Sequence, residues 1–154
     1  MNNLEVVNNE EFLQSRFEGI FEGIKITYIG QYCFLYSNFS GSLNLPMCTY
    51  IGGSAFSNSH FSGSLNLPVC TQIGIHAFYH SNFSGSLSLP ACTFIGNSAF
   101  LNSNFNSITI GANATLGNYC IGAHSTEFIN DYTANHKLAG TDVWDSATQH
   151  WRYQ

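Results

Sequence analysis

Phe39–His60 reads FSGSLNLPMCTYIGGSAFSNSH, and the chain then says nearly the same thing twice more. FSGSLNLPVCTQIGIHAFYHSN follows over Phe61–Asn82, and FSGSLSLPACTFIGNSAFLNSN over Phe83–Asn104. A fixed period of 22 residues marks a solenoid, in which each copy is one coil laid on the last. One coil of this length buries too little apolar surface to offset its own ordering entropy, so the copies stabilise one another. Working outward, Ile24–Asn38 is a partial copy. Phe105–Thr126 is a degenerate one, in which Ile108 and Ile110 stand for the Leu43 and Leu45 pair after a shorter approach.

Each copy carries the same local signals. Leu43 and Leu45 alternate with Ser42 and Asn44, which predicts a strand with one buried face, and Pro46 ends it because proline cannot donate to a ladder. Thr49–Ile51 reads as a second short extended piece. Gly52 predicts a turn with positive φ, and Ser54–Phe56 one turn of 3₁₀ or α-helix. Read down the stack, Phe34, Phe56, Phe78 and Phe100 form one aromatic spine and Phe39, Phe61, Phe83 and Phe105 a second, with Ile29, Ile51, Ile73 and Ile95 beside them. Burying one such side chain contributes about 1.5–3 kcal/mol. Ser37, Ser59, Ser81 and Ser103 form a polar column, expected to bond the loop backbone of neighbouring coils.

The five cysteines belong to these columns. Cys48, Cys70 and Cys92 share one, and stacked equivalents lie about 4.8 Å apart with parallel side chains, too far for the disulfide Cβ separation of about 3.8 Å. They read as a buried ladder of free thiols. Cys33 and Cys120 fall in the column of Ala55, Ala77 and Ala99 and read as core too.

The ends differ from the body. The first 22 residues show no match to the repeat. LEVV (Leu4–Val7) reads as a short strand, and Asn9 as the cap of a helix over Glu10–Glu18 that would turn Phe12, Leu13 and Phe17 inward. Residues 1–23 are thus expected to be an N-terminal cap, 24–126 about five coils, and 127–154 a C-terminal cap of one or two strands. The N-terminus has neither a basic start nor an apolar core and does not read as a signal peptide.

Composition narrows the function classes. Charged residues are 8% of the chain, against about 25% in an ordinary globular protein, so the polar surface is built from Ser, Asn, Thr and Gly. Four Lys and Arg in a chain of net charge −5 exclude a phosphate-binding nucleic-acid face. No apolar run reaches the roughly 20 residues of a membrane span. Between Gly23 and Thr126 there is no acid, which removes paired-carboxylate chemistry from the body, and no G-x-S-x-G turn occurs. His76 and His80 are four apart with His60 one coil away, but no carboxylate or thiol completes a ligand set, and there is no C-x-x-C pair. No enzyme activity, metal or cofactor is expected.

Two exposed columns are the candidate binding surfaces. Tyr28, Tyr50, Gln72 and Phe94 occupy the variable place of T-x-I-G and, pointing outward, make an aromatic stripe suited to sugar rings or a protein partner. Ser42, Asn44, Ser64, Asn66, Ser86 and Ser88, continued by Ser107 and Thr109, make a flat, uncharged, hydrogen-bonding face.

The succession SNFSGSLNLPMCTYIGGSAF, with its repeated I-G-x-x-A-F, resembles the BspA-type (Treponema pallidum-type) leucine-rich repeat. On that resemblance Phe39, Phe61 and Phe83 hold the leucine place, Cys48, Cys70 and Cys92 the valine place, and Ser37, Ser59, Ser81 and Ser103 a place often held by Cys. FINDYTANHKLAGTDVW is similar to the segment that closes such arrays. The resemblance implies a right-handed leucine-rich-repeat solenoid of parallel β-structure with little helix. It implies non-catalytic recognition or adhesion, of a protein or a glycan, at a bacterial surface, in a secreted protein or on a phage particle. The alternative is a structural spacer or assembly subunit, a possible homo-oligomer, that meets copies of itself or a neighbour through its ends.

Overall fold

The computed structural model describes residues 4–13 and 15–154, so Met1–Asn3 of the expected N-terminal cap and Gln14 of the expected helix lie outside the described residues. The protein is a parallel β-solenoid of two sheets. One has six strands of two residues: β1 (Val6–Val7), β3 (Tyr28–Ile29), β5 (Tyr50–Ile51), β7 (Gln72–Ile73), β9 (Phe94–Ile95) and β11 (Thr115–Leu116). The other holds the longer strands β2 (Glu18–Ile20), β4 (Asn38–Asn44), β6 (His60–Asn66), β8 (Ser86–Leu89) and β10 (Ser107–Ile110). Every pairing among these is parallel, and Tyr28, Tyr50, Gln72 and Phe94 stand in successive register.

The columns meet as the period requires. Phe34, Phe56, Phe78 and Phe100 stack at 5.1, 5.3 and 5.1 Å, and Phe39, Phe61, Phe83 and Phe105 at 6.2, 5.4 and 5.8 Å. The two spines meet edge to face, as at Phe56–Phe61 (5.7 Å, 75°), which sets the positive edge of one ring against the negative face of the next. The serine column is buried among them: Ser37 and Ser59 share a hydroxyl–hydroxyl bond of 2.9 Å, and Ser103 donates to the Ser81 carbonyl.

The N-terminal segment departs from expectation. It stacks as one more coil, and where a helix over 10–18 was expected, residues 10–13 form turns and Glu18 opens β2. Val6 and Val7 pair with Tyr28 and Ile29, Phe12 stacks on Phe34 at 5.4 Å, and Phe17 stacks on Phe39 at 5.8 Å. Asn9 caps no helix; its Oδ1 accepts the N–H of Gln31 in the coil above.

The arc between the sheets departs too. Single three-residue turns form around Ser54–Phe56, but they do not run on into a 3₁₀ or α-helix. Ala55, Ser57 and Ser59 donate back to Gly52, Ser54 and Phe56, while the intervening Ser54, Phe56 and Asn58 donate to Ile75, Ala77 and Tyr79 of the next coil. The alternation needs left-handed residues, and these are not glycines: Tyr32, Ser54, His76 and Ser98 form one such column, and Tyr36, Asn58, His80 and Asn102 another. A left-handed residue costs roughly 1–2 kcal/mol, here offset by the inter-coil bonds it permits. Gly52, expected at positive φ, is not in that region. It is glycine because a Cβ there would lie 2.6 Å from the Gln31 nitrogen and the Gly30 carbonyl carbon, and Gly30, Gly74, Gly96 and Gly117 repeat the close approach.

The C-terminal cap contains a helix as well as the expected strands. α1 (Ser125–Ala134) has no Gly or Pro and turns Ser125, Phe128 and Tyr132 onto the last coil at helical spacing. Tyr132 donates its hydroxyl to Gly111 at 2.6 Å and accepts Ala114 N–H at 3.0 Å. The hairpin β12 (Gly140–Asp145) and β13 (His150–Tyr153) then extends the longer-stranded sheet antiparallel to β10.

Gly52→Ala is expected to destabilise the solenoid by about 2 kcal/mol or more, because backbone rather than a flexible side chain must move. Gly53→Ala, whose Cβ would meet nothing nearer than the Ile75 carbonyl at 3.3 Å, is expected to stay within about 0.5 kcal/mol of the parent. Urea unfolding of the two variants checks the pair.

Candidate functional site

The six-stranded sheet carries the stripe because two-residue strands have one residue in and one out. Ile29, Ile51, Ile73 and Ile95 are buried, so Tyr28, Tyr50, Gln72 and Phe94 face outward. Tyr28 and Phe94 are 38% and 39% exposed. Tyr28 and Tyr50 stack at 4.8 Å and 8°, the spacing of adjacent strands, so their ring faces look along the solenoid axis.

The thiol column stands directly behind the stripe. Cys48, Cys70 and Cys92 are free and buried, and each Sγ donates to the carbonyl two residues on: Tyr50 at 3.3 Å, Gln72 at 3.4 Å and Phe94 at 3.3 Å. Burial pushes the Cys48 thiol up to about 12 and the Cys92 thiol up to about 11, and Cys70 higher still with both neighbours adding to it. At neutral pH these are protonated donors that fix the backbone of the stripe, not nucleophiles. Burial, with the Tyr28 phenol beside it, also raises Tyr50, which stays a neutral phenol.

A depression of about 410 Å³ opens beside the stripe and was not foreseen from the sequence. Tyr50, Phe94 and Tyr32 line its sides, and Gln31, Ser54 and His76 bring polar atoms to it. It lies over Gly53. That residue occupies the column of Asn9, Gln31, Ile75 and Asn97, where every other coil has a side chain. The signal was present in the repeats, in a single glycine at a variable place.

The Ser/Asn face is of another kind. Its strands carry a bulge at Gly41–Leu43, and the Ser42 and Ser64 hydroxyls lie over Gly63 and Gly85 where a Cβ would collide with them. From there Ser42 Oγ accepts the Ser64 N–H at 3.0 Å, and Ser64 Oγ accepts the Ser86 N–H at 3.1 Å. Asn66 donates to Asn44 at 2.8 Å. Ser42 and Ser64 therefore supply inter-coil bonds where the bulge interrupts the ladder. Among the described residues, the Tyr28 and Tyr50 hydroxyls and the Gln72 amide make no such bonds. The structure thus holds the four stripe residues together on one sheet and Ser42, Asn44, Ser64, Asn66, Ser86 and Ser88 together on the other.

The histidines do not share a helical face. His76 and His80 sit at the two left-handed positions of one arc, with Tyr79 packed against both rings.

Comparison with family models matches the BspA type leucine rich repeat region, in six copies over residues 2–127. Comparison with curated proteins and with solved structures finds no match.

Two acids of the cap are perturbed, Asp145 downward and Asp142 upward, and Asp142 is the buried one. Asp142 is buried on β12 and its Oδ1 has no hydrogen-bond partner among the described residues. Burial raises it first and the neighbouring Asp131 carboxylate adds to the shift. Asp131 is itself held by the Trp151 N–H at 2.8 Å and His150 Nδ1 at 3.1 Å. Because folding raises the pKa of Asp142, the folded state holds that proton more tightly than the unfolded chain. Stability is therefore lost as pH climbs from the ordinary carboxylate value through the raised one. Asp142→Asn is expected to stabilise the protein at neutral pH by on the order of 1 kcal/mol, with the gain fading below about pH 4. Thermal melts across that range check it.

Proposed function

We propose that this chain, which belongs to the BspA-type leucine-rich-repeat family, is a non-catalytic recognition or adhesion module that meets its partner through the outer face of the six-stranded sheet. Leucine-rich-repeat solenoids are typically binding scaffolds, and this repeat is a protein-interaction or repeat module. The observation that carries the choice of face is the contrast in hydrogen bonding. On the Ser/Asn face the hydroxyls of Ser42, Ser64 and Ser86 and the amides of Asn44 and Asn66 are spent on neighbouring coils, whereas the stripe offers stacked rings, phenol hydroxyls and an amide that bind nothing else among the described residues. Aromatic side chains with a polar tip are the residues that anchor interfaces. The thiol donors behind them hold the stripe's backbone in place before a partner arrives, which lowers the entropic cost of binding.

Non-catalytic function is supported by the protonated state of the buried thiols and by the place of the buried acid, Asp142, beneath the cap rather than in the depression. The alternative role, a subunit joined to its copies end to end, meets an electrostatic obstacle. Five Glu against Arg16 and Lys25 mark the first coil, and Glu127, Asp131, Asp142 and Asp145 against Lys137 and Arg152 mark the cap, so both ends carry the same sign.

Screening the purified chain on protein and glycan arrays tests the reading. Tyr50→Ala is expected to weaken the partner so found by about tenfold or more, with the melting temperature little changed, and Ser88→Ala on the opposite sheet to leave binding unchanged. Loss through Ser88→Ala with Tyr50→Ala silent would move recognition to the Ser/Asn face.

A further inference from the structure

We propose that the outer edge of β11 is a docking site for an extended segment of another protein, an aliphatic residue followed by glycine, laid on as one more parallel strand of the six-stranded sheet. The proposal goes beyond the recognition reading above and uses another surface, the end of that sheet rather than its face.

The coils themselves show how such a segment is held. Where a coil has Asn in the column of Gly53, it grips the next coil with three hydrogen bonds. The Val7 carbonyl accepts the Gly30 N–H at 2.7 Å, Asn9 Oδ1 accepts the Gln31 N–H at 2.8 Å, and the Glu10 N–H donates to the Gln31 carbonyl at 2.8 Å. The Ile95 carbonyl, Asn97 Oδ1 and the Ser98 N–H hold Gly117 and Asn118 in the same way, at 2.8, 2.9 and 2.8 Å. The last coil carries the set a third time in Leu116, Asn118 and Tyr119, and Tyr119 has the left-handed backbone of Glu10 and Ser98. Thr115 and Gly117 donate to β9, so Leu116 between them faces away from it. Among the described residues the Leu116 carbonyl, the Asn118 side chain and the Tyr119 N–H have no hydrogen-bond partner.

The cap leaves this edge accessible. Its hairpin extends only the longer-stranded sheet, where Asp131 accepts the Trp151 N–H of the outermost strand. β11 is the last strand of its own sheet, with Leu116 half-buried and Asn118 and Tyr119 exposed. Beside it a hollow of about 350 Å³ separates the last coil from α1, lined by Asn118, Tyr119, Thr126, Ile129 and Asn130. Strand addition at such an edge takes its affinity from main-chain bonds and its selectivity from side-chain fit.

Close approach dictates the glycine. A Cβ on Gly30 would lie 2.5 Å from the Asn9 nitrogen and Oδ1, and a Cβ on Gly117 would lie 2.5 Å from the Asn97 nitrogen and 2.6 Å from its Oδ1. A residue laid over Asn118 meets the same atoms. The residue before it falls in the column of Ile29, Ile51, Ile73 and Ile95 and covers Leu116, which calls for an aliphatic side chain. The first coil of a second copy does not qualify. There Val7 is followed by Asn8, whose Cβ would collide and whose N–H already donates to Glu11 at 2.8 Å. Charge narrows the partner further. Glu127, Asp131, Asp142 and Asp145 outnumber Lys137 and Arg152 in the cap, so basic flanks are attracted and acidic ones repelled.

Three peptides test this against the full chain: acetyl-Lys-Thr-Ile-Gly-Asn-Lys-amide, the same peptide with Ala for Gly, and the same with Glu for both Lys. Each is titrated to millimolar concentration and followed by amide chemical shifts. The first is expected to shift the amides of residues 115–119 and 129–130. The Ala form is expected to bind about tenfold or more weakly, and the Glu form more weakly than the Lys form at low salt. Asn118→Ala, which removes a side chain without internal bonds, is expected to weaken the first peptide by about fivefold with the melting temperature unchanged. No binding, shifts confined to the stripe at Tyr50 and Phe94, an Ala or Glu form that binds as well as the first, or an Asn118→Ala variant of unchanged affinity would each overturn the proposal. Shifts of the same amides that grow with the concentration of the chain alone would make the occupant a second copy and overturn it too.

Discussion

Everything in this molecule follows from the closeness of one coil's backbone to the next. Each coil donates and accepts along nearly its whole path: through the strands of both sheets, and through alternate N–H groups of the arc that join Phe34 to Ala55, Phe56 to Ala77 and Phe78 to Ala99. That approach leaves no room for a Cβ at Gly52 or its equivalents. It also imposes one spacing on every column. Phenylalanines then stack, serines bond to serines, and thiols rise in a ladder that cannot close into disulfides. The outward stripe inherits the same spacing, which is why Tyr28 and Tyr50 stack without any contact designed for the purpose.

The same constraint decides where the copies are free to differ. Positions that touch the neighbouring backbone or the core are fixed by the stack, so the copies agree there. The T-x-I-G place and the place of Gly53 point outward and are free to differ, and they do: Tyr, Tyr, Gln, Phe in one, Asn, Gln, Gly, Ile, Asn in the other. A Ser in the Ser/Asn face is not free in the same sense, since Ser42 and Ser64 close inter-coil bonds that the bulge would otherwise leave open.

The parts of the fold that were legible from the residues are those where a column is marked by a large or unusual side chain. The spines from Phe34 and Phe39 onward, the thiol ladder and the outward stripe all lie in the structure where the 22-residue period puts them. The first coil was harder to see because it lacks the L-P and I-G marks, and Glu10 and Glu11 after Asn9 imitate a helix start. Yet Phe12 and Phe17 lie one period before Phe34 and Phe39, a signal that the helix reading passed over. The arc was misjudged for a physical reason: Ser54, His76 and Ser98 adopt left-handed backbone that single-residue preferences assign to glycine, and only the bonds to the next coil make it tolerable. In the C-terminal segment Phe128, Ile129 and Tyr132 carry a helical spacing that alternation elsewhere in the segment obscured. The depression was missed because its sign is an absence, a single glycine at a variable place, and its lining comes from four coils.

The distribution of charge completes the argument. A stack of parallel strands is open at both ends, and an exposed strand edge is a template for further chains. Here residues 26–126 carry no formal charge at all, while the coil bearing β1 and β2 carries Glu5, Glu10, Glu11, Glu18 and Glu22 on its exposed surface. Ile20, 74% exposed at the free edge of β2, sits within that acidic rim. At the other end α1 and the hairpin cover the core and turn the longer sheet antiparallel, which ends its register. The division is economical in physical terms. Charges at the ends oppose the growth that the repeat would otherwise invite, and they leave the lateral face neutral and without long-range attraction of its own.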